Sequence, residues 1–351
     1  MTTTPIREVD GPANWLAADL EAKHVWCREL TSDELDELDA ALRHAKERNP
    51  ALDLASLRVD DFPLPTFTAE IDNLRRVLVD GCGVFAYTGV PVDRYDDDEL
   101  RALWWGLCSS IGTPVSQSWR GDVIGDVRDI GTGVTGRAGR GYTSNAELSF
   151  HCDTADVTGL FFLRQGKSGG VSRIASSVAV HNVIARRRPD LLDLLYRPMP
   201  VSWQSNEVPG TQQWYDMPVF GRVGDDVACA YVRTNILWAA ANCGAPPLTE
   251  QQIEAVEHVA AVAAEPQMWV ERRFEAGTMW FVNNQTIFHM RTEFTDHDDP
   301  ALKRHLLRVW LSLPNSRRLP ASFASYFGEV SAGAVRGGYP SRSPTPVFHT
   351  A

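Results

Sequence analysis

Apolar residues recur at helical spacing along much of the first third of the chain. Thr31-Ser-Asp-Glu34 has the form of a capping box, and Leu35, Leu38 and Leu42 follow on one face, which predicts a surface helix as far as Arg48. Pro50 and the Phe62-Pro-Leu-Pro65 segment separate it from a second amphipathic helix carrying Ile71, Leu74 and Leu78, which Gly81 and Gly83 end. Val84 to Val90 is a short apolar run suited to a buried strand, and Asp96 to Ile111 reads as a helix with Leu100, Leu103, Leu107 and Ile111 inward. Further on, Gly159 to Leu163 predicts a strand and Lys167 to Gly170 a tight turn. Ser177 is the expected cap of a helix closed by Arg186-Arg-Arg-Pro189. A strand is expected around Tyr231. Thr249-Glu-Gln-Gln252 is a further capping box, opening a helix to Ala264 with Ile253, Val256, Ala260 and Ala263 on one face and His258 at the surface.

The last stretch changes period. Trp269 to Phe274, Thr278 to Asn283, Thr286 to Arg291 and Arg304 to Leu313 read as strands separated by turn residues such as Gly277 and Asp296 to Pro300. Many short strands closing on one another predict a mainly β jelly-roll barrel with helices packed outside. The expected organisation is one domain, with a helical N-terminal segment over residues 1–112 packed on a jelly-roll core 113–313 and an irregular tail 314–351 wrapping the surface. There is no internal repeat.

Composition narrows the function. The net charge of -11 over 351 residues argues against a nucleic-acid or anionic-membrane partner, since either would call for a basic face, and leaves a small molecule as the expected partner. No apolar run approaches a membrane span, and the first ten residues lack the apolar core of a signal peptide. Six cysteines without a Cys-x-x-Cys pair indicate neither a zinc site nor a disulfide framework. A cytoplasmic protein with free thiols is expected.

Candidate chemistry sits in Phe150-His151-Cys152-Asp153 and in a distant histidine, His289. Side chains two apart on a strand share a face, so His151 and Asp153 project together while Cys152 turns into the wall. Two imidazoles and a carboxylate make the facial triad that holds iron(II) and leaves positions open. Arg304, Leu306 and Arg308 alternate onto one face, and two arginines directed into a barrel imply internal carboxylates or an acidic ligand. One hairpin connection would put His289 and Arg304, fifteen residues apart, on adjacent strands. Between Gly131 and Gly141 five glycines fall in eleven residues. The opening matches Gly-x-Gly-x-x-Gly, but further glycines and two arginines follow where a dinucleotide fingerprint would open a helix. A loop is the better reading, either a lid with Arg137 or Arg140 against an anionic substrate or a solvated segment. Asp156 is open between substrate contact and a turn cap. Trp280 and Trp310 read as core aromatics, and Asn283 and Asn284 as a hairpin turn.

The string from Gly277 through His289 to Asp296, followed by Lys303-Arg-His-Leu-Leu-Arg308, resembles the C-terminal signature of the TauD/TfdA superfamily. Phe150-His-Cys-Asp153, Lys167-Ser-Gly-Gly-Val-Ser-Arg173 and, more loosely, Val127-Arg-Asp-Ile-Gly131 extend the resemblance over most of the chain. These are iron(II)- and 2-oxoglutarate-dependent dioxygenases with a double-stranded β-helix core. The resemblance implies that His151, Asp153 and His289 bind iron, that Arg304 pairs with the distal carboxylate of 2-oxoglutarate, and that the Ser172 hydroxyl supports the same carboxylate. Arg308 falls where relatives place a second arginine toward cosubstrate or substrate, with a salt bridge inside the barrel as the alternative. The implied reaction consumes O2 and 2-oxoglutarate, releases succinate and CO2, and oxidises an unactivated C–H bond. Hydroxylation is the usual outcome. The carboxylate at Asp153 disfavours halogenation but leaves desaturation and ring closure open. A non-catalytic jelly-roll binding or sensing protein is the rival reading, and retention of every ligand position speaks against it. Substrate contacts are expected from loops 131–147 and 199–219, which can act as lids, around a small molecule with a carboxylate or other anionic group. Homo-oligomers are common in relatives.

Overall fold

The computed structural model describes residues 8–23, 25–131, 143–204, 206–341 and 347–348. In chain order the N-terminal third contains α1 (Ala17–Lys23), β1 (Cys27–Glu29), α2 (Ser32–Arg48), α3 (Thr68–Asp80), β2 (Val84–Thr88), α4 (Asp97–Ile111), β3 (Thr113–Val115) and β4 (Ile124–Val127). There follow β5 (Leu148–His151), β6 (Val157–Arg164), β7 (Ser168–Gly169), β8 (Ser172–Ser176), α5 (Ser177–Arg187) and α6 (Pro189–Leu195). Two hairpins, β9 (Met199–Ser202) with β10 (Trp214–Met217) and β11 (Phe220–Val223) with β12 (Asp226–Cys229), lead into α7 (Arg233–Asn242) and α8 (Glu250–Ala263). The chain continues through β13 (Trp269–Arg272), β14 (Met279–Asn283), β15 (Ile287–Arg291), β16 (Phe294–Thr295), β17 (His305–Ser312) and α9 (Ala324–Phe327).

Two sheets face each other as a jelly roll. The larger runs β1-β2-β14-β6-β17, with β17 pairing β4 along its first half and β3 along its second; β1 and β2 are parallel and the other pairs antiparallel. The smaller runs β13-β8-β15-β5, antiparallel throughout. Side-chain alternation explains why both faces of the larger sheet are apolar. Phe85, Tyr87, Phe161, Met279, Phe281, Leu307, Val309 and Leu311 point outward and are covered by the apolar stripes of α2, α3 and α4. Val84, Ala86, Phe162, Trp280, Val282 and Leu306 point inward, where Ile174, Val270 and Ile287 of the smaller sheet meet them. The outer face of that sheet, with Phe150, Ala175, Phe288 and Met290, packs under α5, α6 and α8. At roughly 25 cal/mol per Å² of apolar surface, these three interfaces supply the main driving force for folding.

The capping boxes at Thr31 and Thr249 form as expected, and Asp96 makes another at α4. Several expectations need correction. Ser176, not Ser177, caps α5, because its hydroxyl reaches the Ala179 N–H while Ser177 begins the helix. Tyr231 is buried in the connection after β12 rather than in a strand. In α8 the buried face is Ala255, Val256, Val259, Val262 and Ala263, while Ile253 is 41% exposed and His258 is half-buried. The helix is rotated because it packs on α5 and α6 together. His289 and Arg304 are not on neighbouring strands: β15 lies in the smaller sheet, and Arg304 immediately precedes β17 of the larger, since the chain crosses the barrel through β16, which pairs with β7. The part of the tail from 314 to 341 is no surface wrap either. Leu319, Phe323, Tyr326 and Phe327 join the core, and Arg336 is 3% exposed against Asp156.

Candidate active site

His289 on β15 lies directly opposite His151 on β5. The parity that sends Ile287 into the barrel sends His289 and Arg291 there as well, and the ring centroids of His151 and His289 are 4.3 Å apart. The His151 Nδ1–H donates to the Ser149 carbonyl at 2.8 Å, which leaves Nε2 as the free lone pair. The β5 strand ends at His151, so alternation alone does not aim Asp153. Other groups do so. The Asp153 main-chain N–H donates to Asn284 Oδ1 at 3.0 Å, and Asn284 Nδ2 donates to Thr158 Oγ1 at 3.1 Å. Thr158 Oγ1 in turn donates to Asp153 Oδ2 at 2.8 Å, and Trp310 Nε1 donates to the same oxygen at 2.9 Å. His289 Nε2 and Arg308 Nη1 each lie 3.8 Å from it. One oxygen of Asp153 is thus engaged by the protein, which fixes the orientation of the carboxylate beside His289.

Ligand atoms of His151, Asp153 and His289 all lie within 4.8 Å of one another, the one such metal-binding cluster among the described residues. Burial would raise the Asp153 carboxyl, but Arg308, His289, His151 and Thr158 outweigh it and hold it at about 2. Burial, reinforced by His151, lowers His289 to about 3. Both are therefore in their metal-binding protonation states at neutral pH. Two imidazoles, one carboxylate oxygen and an open side make a donor set suited to iron(II).

A different arrangement surrounds Arg304, which is 3% exposed. Its Nε and Nη1 have no hydrogen-bond partner among the described residues. Its guanidinium lies 5.1 Å from the centre of the Phe294 ring, and that of Arg291 lies 4.6 Å from the same ring. Arg291 is anchored by the Ser144 carbonyl at 3.0 Å and by the Ala146 carbonyl. Burial, with Arg291 close by, pulls Arg304 down to about 9. A buried cation without a counterion costs several kcal/mol, and a planar carboxylate is the group that fits its fork. Gly170, at φ +65°, makes the room: a Cβ there would sit 3.2 Å from Arg304 Nε. Ser172, with the parity of Ile174, stands across from Arg291. These orphaned nitrogens fit the distal carboxylate of 2-oxoglutarate.

Arg308 is placed elsewhere than Arg304. It donates through Nε to Gln117 Oε1 at 2.7 Å and lines a cavity of about 330 Å³ together with His151, Asp153, Tyr215, Asn235, Trp310 and Tyr339. That volume suits a small molecule. Gln204, Asn206 and Tyr215, from the segment 199–219, line the cavity wall, while Arg137 and Arg140 lie outside the described residues. Asp156 neither meets the cavity nor caps a turn for it: Arg336 Nε donates to it at 2.8 Å, and the Leu313 N–H at 3.1 Å. Trp310 and Asn284, read from the sequence as core and turn, are supports of Asp153. Arg291 was missed, although its position two residues after His289 assigns it to the same face.

The sequence model of one family, described as "Taurine catabolism dioxygenase TauD, TfdA family", matches residues 49–310. FR-33289 synthase of Streptomyces rubellomurinus is 28% identical over 336 residues, covering 93% of this chain and 97% of that protein. Taurine hydroxylase-like protein SAT17 of Stachybotrys chartarum is 26% identical over 290 residues, covering 80% and 73%. Among solved structures, asparagine oxygenase with Fe(II), 2S,3S-3-hydroxyasparagine and succinate superposes with a TM-score of 0.63 at 18% identity, covering 82% of this chain and 94% of that one. The non-heme iron oxygenase OrfP with Fe, succinate and (3S)-hydroxy-L-Arg gives 0.60 at 15% identity over the same shares. Those two likenesses bear on the fold.

Proposed function

Because the chain belongs to the TauD, TfdA family and is a 2-oxoglutarate-dependent dioxygenase, we propose that it hydroxylates an unactivated C–H bond of a small molecule carrying an anionic group. His151, Asp153 and His289 would hold the iron, and Arg304 with Ser172 would receive the distal carboxylate of 2-oxoglutarate. When bound, iron(II) with 2-oxoglutarate and O2 supplies the oxidising power for the C–H bond, at the expense of the keto acid, which leaves as succinate and CO2.

The protein's own share is positional. Trp310 and Thr158 fix the Asp153 carboxylate through hydrogen bonds to Oδ2, which would orient it as a ligand. Arg304 draws the cosubstrate to the interior between the sheets, and its desolvation strengthens that pairing. Trp280, edge-on to His289 at 6.0 Å, keeps water from that flank. Arg308, bonded to Gln117, stands in the cavity wall beside Asp153 and helps to keep that carboxylate ionised. The observation that carries this reading is the pairing of a complete ligand triad with a buried arginine whose Nε and Nη1 have no hydrogen-bond partner among the described residues. A purely structural arginine at 3% exposure would have its fork filled, as that of Arg336 is by Asp156 and the Ser331 and Arg317 carbonyls, whereas Asp296 lies near Arg304 without bonding its Nε or Nη1. A cytoplasmic setting accords with six free thiols, and no helix among the described residues is long and apolar enough to cross a membrane.

Anaerobic addition of iron(II) and then 2-oxoglutarate should produce the weak visible charge-transfer band of a chelated keto acid, and His151→Ala should abolish it. A wild-type protein without the band, and without calorimetric binding of metal or keto acid, would return the chain to the binding-protein reading.

A further inference from the structure

The cavity beside the metal ligands has a second polar wall that the reaction described above does not use. It is formed by the first turn of α7, residues Val232 to Asn235. Val232 is the N-cap of that helix and offers no side-chain oxygen to it. Asn235 N and Ile236 N both turn back to the Val232 carbonyl, at 3.0 and 3.1 Å, so the N–H groups of Arg233 and Thr234 have no acceptor among the described residues.

Two buried side chains in the same cavity share that condition. Asn235 is 5% exposed; its Oδ1 meets the Thr234 hydroxyl at 3.4 Å, while its Nδ2 has no acceptor among the described residues. Tyr215 is 8% exposed, its ring clamped by Trp203 and Tyr326 at 4.1 and 5.1 Å, and its hydroxyl bonds to none of the described residues. Asn235 and Tyr215 are each more than nine-tenths buried and lie in the wall of the same cavity as the free helix end, so these unpartnered donors together mark the place of a guest. The charges around it are already engaged. Arg233 is held by Glu257 through two hydrogen bonds of 2.8 and 2.7 Å, and Arg308 by Asp153 and Gln117. The potential still free is that of the helix end itself, equivalent to about half a positive charge.

We propose that the N-terminus of α7, with Asn235 Nδ2 and the Tyr215 hydroxyl, is the subsite for the substrate's oxyanion, a carboxylate, phosphonate or sulfonate. It seats that group while a C–H bond of the same molecule faces the metal. The proposal rests on the oxygenase reading for the C–H end and is independent of it for the anion end.

The test uses the full chain loaded anaerobically with iron(II) and 2-oxoglutarate, so that Arg304 is already engaged, and titrated calorimetrically with acetate, methylphosphonate and methanesulfonate. At least one probe should bind at millimolar concentration, and which one does separates a planar from a tetrahedral group. Val232→Asp places a competing carboxylate at the helix cap. It should weaken that probe by about tenfold or more while leaving thermal stability equal or higher, a combination that a merely structural helix end would not give. Tyr215→Phe should weaken it by roughly threefold to tenfold. Unchanged affinity in both variants, or no binding of any probe to the wild type at tens of millimolar, overturns the subsite. Anion binding that persists in a protein showing no charge-transfer band would sink the oxygenase reading and leave the subsite standing.

Discussion

The surroundings of Asp153 and those of Arg304 are both buried and charged, yet they are finished to different degrees. Asp153 Oδ2 has the Trp310 and Thr158 donors at hydrogen-bond distance and Arg308 close by. Arg304 has an aromatic face beneath it and two nitrogens with no acceptor among the described residues. The first region is held ready by the chain, whereas the second is complete only when an anion arrives. A site that must bind its metal in a fixed geometry and exchange its cosubstrate at every turnover gains from that division: rigidity where the ligand stays, an unmet need where the ligand leaves.

The largest effect should come from removing the finished region's centre. Asp153→Ala should lower turnover on the order of a thousandfold or more, since it takes away a metal bond worth several kcal/mol in the transition state. Succinate release per iron bound measures it, and near-normal coupled turnover would dissolve the comparison. Arg304→Met should raise the dissociation constant for 2-oxoglutarate by roughly a hundredfold, the equivalent of about two charge-assisted hydrogen bonds. The same variant should raise the melting temperature of the ligand-free protein, because an unpaired buried cation is gone. A lower melting temperature would mean that Arg304 already has a counterion. Trp310→Phe should weaken iron(II) binding by about tenfold to a hundredfold, with 2-oxoglutarate affinity little changed. Equal losses of metal and keto acid would show the two regions to be one.

The smallest effect is a pH slope in the metal-free protein. His289 is lowered to about 3 when folded, mainly by burial, against an unfolded value near 6.5. Between those values the unfolded chain binds the extra proton, so stability falls as pH falls from about 6.5 toward 3, by at most about 1.4 kcal/mol per pH unit from this group. Chemical denaturation across that range should show the slope, and His289→Leu should flatten it.

Much of the barrel was legible because alternation and helical spacing leave marks in the sequence. Leu306 and Leu307 part to opposite faces of β17, and Ile71, Leu74 and Leu78 line the inner side of α3, as their spacing requires. The clustering of His151, Asp153 and His289 was legible through a family signature, although the strand parity expected to aim Asp153 ends with β5 at His151. What was missed lies where side chains act across the fold rather than along it. Asn284 has the composition of a turn residue and sits in a turn, and nothing local reveals that its amide reaches the Asp153 backbone and Thr158. Trp310 is buried as any core tryptophan would be, and only its Nε1 partner distinguishes it. The tail has no period to read, so the burial of Phe323 and Tyr326, and the pairing of Arg336 with Asp156, were invisible. The positions of His289 and Arg304 at opposing sheets were misjudged because a short connection can cross a barrel as easily as turn a hairpin.

The link from Arg336 to Asp156, with Tyr339 in the cavity wall, makes the end of the chain part of the site. Three residues after Asp153 the chain carries a buried carboxylate whose cation comes from a segment 180 residues further on. Truncation before Arg336 would strand that carboxylate without its partner and take one side from the cavity, so damage far from the candidate ligands in sequence would be felt beside them in space.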